Sequence, residues 1–193
     1  MFRRICSALK DRTFFAGRHR SLKGNSVKSL IAAAALSLLS ICHAYSAPLG
    51  KPTGPVILSV SGAIQNTNAA GVAQFDMAML EALAGRAASM ETPWTDKPTK
   101  FEGPLLKAIL EAVGAKGASL KVVALNDYAA AVPMSDAVDY DTILATRMDG
   151  HPMSVRDKGP LFLIYPFDSN PELYNEKYFS RSVWQISKIE VEN

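Results

Sequence analysis

The sequence predicts a mixed α+β domain. Several short apolar, β-branched runs are separated by turn residues, and two stretches have apolar residues at helical spacing. There is no internal repeat, heptad pattern or low-complexity tract. The strand-like runs are Val56–Val60, Leu120–Leu125, Ile143–Arg147, Leu161–Tyr165 and Val183–Val191. The helical stretches are Phe75–Leu83 and the segment after Pro104.

VILSV, ending at Gly62, reads as a strand, and Asn66–Gly71 as a turn-rich loop. Phe75, Met79, Leu80 and Leu83 repeat at helical spacing, with Asp76 in the first turn. Gly85–Lys100 reads as irregular, holding Pro93, Trp94 and Pro98. Pro104 is expected to open a second helix, with Leu105, Leu106, Ile109, Leu110 and Val113 on one face. Gly114 and Gly117 should end it. LKVVAL reads as a strand, followed by the polar triplet Asn126-Asp127-Tyr128 and a weaker strand pattern before Pro133. Asp149-Gly150 marks a hairpin turn, and LFLIY a buried strand. In the last run, alternation puts Trp184 and Ile186 on one face and Val183, Ile189 and Val191 on the other.

The 193-residue chain has a formal charge of +3, but the charge is unevenly distributed. Residues 1–44 hold eight of the 21 Lys/Arg and one of the 18 Asp/Glu, leaving 13 against 17 and a net charge of −4 for the remainder. That disfavours a basic nucleic-acid binder. Leu30–Ile41 is an apolar run of twelve, preceded by a cationic stretch and followed by small residues. This pattern predicts a signal peptide over residues 1–44, with cleavage after Ala44 or Ser46, and export to the periplasm. Residues 45–55, rich in Pro and Gly, are expected to be a flexible lead-in. Residues 56–193 should then form a single domain, and the exported part of the chain contains no cysteine.

Phe101-Glu102-Gly103-Pro104-Leu105-Leu106, Asp149-Gly150-His151-Pro152-Met153, Gly159-Pro160-Leu161 and Ser182-Val183-Trp184-Gln185-Ile186 occur in this order. Their order and spacing resemble the sulfite-oxidase-type molybdopterin-binding fold. The resemblance covers roughly Val56–Val191 and implies a mixed α+β domain around a curved, barrel-like sheet. Catalytic members carry a molybdenum-ligating cysteine after the strand that resembles Val122–Leu125, where this chain reads Ala-Leu-Asn-Asp-Tyr. Asn and Asp do not offer the chemistry of a soft thiolate, so no molybdenum is expected. The leader, the Leu-Asn-Asp-Tyr segment and Arg156–Leu161 look closer still to exported, cysteine-free pterin-binding regulators. That resemblance implies a reduced pterin of the tetrahydropterin type as ligand. It also implies a partner, the periplasmic domain of a membrane-bound diguanylate cyclase/phosphodiesterase, and hence a role in cyclic-di-GMP regulation rather than catalysis. A molybdopterin-dependent oxidoreductase and a ligand-free interaction adaptor are the alternatives on the same fold.

A pterin presents a 2-amino/N3–H donor edge to a carboxylate and a flat face to an aromatic ring. Asp127 is the first candidate for the carboxylate, with Asn126 beside it. Trp94 is the first candidate for the stacking face and Tyr128 the second. Arg147, Arg156 and Arg181 are suited to a ring carbonyl or polar tail, and Trp184 to a wall. Each residue also has a purely structural reading. Asn-Asp is common turn chemistry, Trp94 and Trp184 can be core, and Arg156-Asp157-Lys158 can be a solvated turn. The carboxylates Asp136, Asp139 and Asp141 read as an acidic surface loop, and His151 as a surface residue. Hydrolase and metal-site motifs are absent from the sequence.

Overall fold

A computed structural model describes residues 49–193. The expected signal peptide lies outside them. In chain order the elements are β1 (Leu58–Gly62), β2 (Ala73–Phe75), α1 (Met77–Glu81), β3 (Gly85–Met90), β4 (Thr99–Pro104), α2 (Leu106–Ala112) and β5 (Ser119–Ala124). There follow β6 (Ala129–Pro133), α3 (Met134–Val138), β7 (Ile143–Ala145), β8 (Arg147–Met148), β9 (His151–Pro152), β10 (Phe162–Ile164), α4 (Glu176–Phe179) and β11 (Ile186–Glu192). This is the mixed α+β class read from the sequence. The strands form three sheets, ordered β2-β1-β11-β5-β6, β3-β4-β8-β9 and β10-β7, and the sheets are not closed into a barrel.

The five-stranded sheet is fixed by alternation. Leu58 and Val60 of β1, and Leu120 and Val122 of β5, are fully buried while their neighbours are not. β11 lies between these strands, parallel to β1 and antiparallel to β5. Its start departs from the expected face assignment. Gln185 has φ +55°, so the strand begins only at Ile186. A register shift between Ile186 and Lys188 then adds a residue. The bulge reverses the alternation, so Ile186, Ile189 and Val191 all face the core, while Trp184 is 40% exposed.

Gly85–Lys100 is not irregular throughout. β3 pairs with β4 over six residues, Gly85 to Met90 against Pro104 to Thr99. Its GRAASM sequence carries no β-branched residue, so pairing supplies the strand character that the side chains do not announce. Pro104 ends β4 instead of opening a helix, and α2 starts two residues later with the expected face buried. Gly103 has to be glycine, since a Cβ there would lie 2.3 Å from the Leu144 carbonyl oxygen. The close approach lets β7 run across β4, which holds two of the sheets together. α2 ends in a Schellman motif: Ala115 N–H donates to Leu110 O, Gly114 N–H to Glu111 O, and Gly114 has φ +61°. The expected Asp149-Gly150 turn joins β8 to β9, with both residues at positive φ.

The described part of the lead-in, residues 49–55, is hydrogen-bonded to this frame. Asp76 caps α1 by accepting from Met79 N–H (2.8 Å), and it also accepts from Thr53 N–H (2.8 Å) and Gly54 N–H (2.9 Å). These backbone bonds, Gly54 first, lower the Asp76 pKa from its ordinary value.

Candidate functional site

A cavity of about 440 Å³ opens where three connecting segments meet. Trp94 comes from the β3–β4 connection. Asn126 and Tyr128 come from the β5–β6 turn. Glu176 and Phe179 lie on α4, and Ser180, Ser182, Val183 and Trp184 lead into β11. Each segment is held in its own way.

The β5–β6 turn closes through Asp127 N–H to Ala124 O (3.2 Å) and Ala124 N–H to Tyr128 O (2.9 Å). Asn126 Oδ1 accepts from Tyr128 N–H (3.2 Å), so its oxygen is used within the turn and its amide nitrogen is left as a donor. Asp127 occupies the left-handed position, φ +64°, at the turn tip. Tyr128 Oη then donates to Ser180 O (3.3 Å) and ties the turn to the segment opposite.

The aromatic wall is a set of edge-to-face contacts. Trp94 meets Phe162 at 5.2 Å, Phe179 at 5.8 Å and Trp184 at 6.2 Å between centroids, with interplanar angles of 68°, 77° and 70°. Phe162 is fully buried and also meets Trp184 edge-on at 6.0 Å. Both tryptophans are therefore braced against the same core ring.

The far side of the α4–β11 segment is anchored by a buried carboxylate. Asp136 on α3 is 4% exposed and accepts on one oxygen from both Tyr165 Oη (2.7 Å) and Arg181 Nη1 (2.8 Å). Asp136 is thus not part of an acidic surface loop, whereas Asp139 and Asp141 are exposed. The Tyr165 phenol is pushed far above its ordinary pKa, by burial first and by the bond to Asp136 second, so it stays a donor. Arg181 also lies 5.7 Å from the Tyr178 ring centroid.

Of the eight candidates named from the sequence, Trp94, Asn126, Tyr128 and Trp184 line this cavity. Asp127 stands beside it at the turn tip, outside the lining. The side chain of Arg181, flanked by two lining serines, is bonded to Asp136. Arg147 lies on another cavity, held by Glu81 through Nε–Oε1 (2.9 Å) and Nη2–Oε2 (3.3 Å), and this pairing raises its pKa. Arg156 is exposed in a 3-10 turn, Val155–Asp157. That turn is stitched to the start of β11 by Gln185, whose N–H donates to Lys158 O (3.0 Å) and whose Nε2 donates to Val155 O (2.6 Å). His151 is exposed, as expected.

Sequence reasoning missed Glu176 and Phe179. The available signal was Asn175, which caps α4 by accepting from Lys177 N–H (3.0 Å) just before the acidic and aromatic residues of that single turn.

Residues 73–193 match the oxidoreductase molybdopterin binding domain, and the chain belongs to that family. No curated protein matches the chain.

The family implies a molybdopterin, and the lining fits that group only in part. Aromatic side chains, an amide donor and a carboxylate suit a flat pterin bicycle. The dithiolene-bound metal and the phosphate of the full cofactor find no counterpart. No Lys, Arg or His is among the lining residues, and residues 43–193 contain no cysteine to supply a thiolate.

Proposed function

We propose that the cavity binds a reduced pterin of the tetrahydropterin type without molybdenum, and that the protein acts as a periplasmic sensor. The observation that carries the ligand reading is the lining itself: two tryptophans, Tyr128 and Phe179 around one carboxylate and one free amide donor. A cavity of about 440 Å³ is of the size that holds a small heterocycle. Export rests on the leader pattern of residues 1–44.

The regulatory half of the reading rests on the resemblance of Leu125–Tyr128 and Arg156–Leu161 to pterin-binding regulators of diguanylate cyclase/phosphodiesterases. The partner in this reading is the periplasmic domain of such a membrane protein. Ligand control of that partner requires the pterin to bind the free and the partnered protein with different affinity.

Uptake is tested by anaerobic equilibrium dialysis of the purified protein against tetrahydropterin. A saturable one-to-one complex that quenches Trp94 and Trp184 is expected. No uptake would leave the fold as a ligand-free interaction adaptor. Equal pterin affinity with and without the partner domain would remove the regulatory half alone.

A further inference from the structure

We propose that Glu176 sets the charge selectivity of the cavity. The site would then take a flat heterocycle with a guanidine-like donor edge and an uncharged tail, and reject the phosphate ester of the same molecule. This inference rests on the pterin-binding reading above.

Glu176 is the one carboxylate among the ten lining residues, which include no basic side chain. Among the described residues its carboxylate makes no ion pair or side-chain hydrogen bond, so its charge is left for whatever part of a ligand lies beside α4. The two basic residues nearest in the chain lie outside the lining. Lys177 Nζ lies 4.9 Å from the Tyr178 ring centroid, and Arg181 is bonded to Asp136. Asp136 and Tyr165 together hold that guanidinium against the α3 side of the segment, although both of its sequence neighbours, Ser180 and Ser182, line the cavity. Glu176 is exposed, so solvent screens its carboxylate in part, but a phosphate entering this space would still meet that negative charge with no basic side chain in the lining to offset it. A neutral polyol tail would meet the serine oxygens and the Asn126 amide at no such cost. The selectivity is opposite to that required for a phosphate-bearing molybdopterin.

The experiment compares a tetrahydropterin bearing a trihydroxypropyl tail with its monophosphate ester. Dissociation constants are measured anaerobically for the wild type, Glu176→Gln and Glu176→Lys. The wild type is expected to bind the uncharged compound about tenfold tighter or more, a difference of about 1.4 kcal/mol. Glu176→Gln should narrow the ratio by tightening the phosphate ester, and Glu176→Lys should invert it. Equal wild-type affinity for the two compounds, or an unchanged ratio in Glu176→Gln, would overturn the inference and leave pterin binding standing. Binding of neither compound by the wild type would overturn both.

Discussion

Asp136 gathers two donors, the Tyr165 phenol and the Arg181 guanidinium, onto one oxygen in a nearly closed environment. Removing one partner of such a pair leaves the other buried without compensation. Asp136→Ala is therefore expected to lose about 3–5 kcal/mol of stability. Tyr165→Phe, which deletes a single hydroxyl bond, should lose about 1–2 kcal/mol. Urea denaturation of both variants checks the order, and equal losses would contradict it. Asp76 gives a pH-dependent counterpart. Its folded pKa is depressed by three backbone donors. Its contribution is thus present above the unfolded value near 3.8 and is lost as pH falls through the lower folded value. Asp76→Asn should flatten the loss of stability on acidification into that window, and urea midpoints at neutral and acid pH would show it. An unchanged slope would mean that other carboxylates dominate.

At the scale of elements, the β5–β6 turn separates a structural role from a ligand role for its neighbouring residues. Asp127 holds a left-handed backbone position outside the lining, whereas Asn126 and Tyr128 line it. Asn tolerates that backbone region as Asp does. Asp127→Asn is therefore expected to leave pterin affinity unchanged in a binding titration, whereas Asp127→Val should destabilise the turn by about 1–2 kcal/mol. A clear loss of affinity in Asp127→Asn would return that carboxylate to the site. The elements legible in the sequence were those whose burial is written in side chains: β1, β5, β10 and the apolar face of α2. The β3–β4 hairpin was not legible, because the small residues in GRAASM become a strand only by pairing with Thr99–Pro104 across a Pro-containing connection. Four of the ten lining residues were visible because tryptophan and the Asn-Asp-Tyr triplet draw attention in any sequence. Glu176 and Asp136 were not, because a charged residue on a four- or five-residue helix looks solvated until the tertiary fold turns it inward or toward a cavity.

For the whole molecule, three sheets that stay open leave their connecting loops to converge on one aromatic-walled cavity. Trp94 and Trp184 are the only tryptophans in the chain and both line the cavity, so tryptophan fluorescence reports on it. The central claim is that this molybdopterin-family domain holds a pterin and no metal. The direct measurement takes the protein purified without added cofactor. It releases the bound material in anaerobic acid, oxidises it, and reads pterin fluorescence together with molybdenum content. Pterin in stoichiometric amount with molybdenum at background is the predicted result. Molybdenum in stoichiometric amount with the pterin would contradict the account and establish a metal held without a cysteine thiolate.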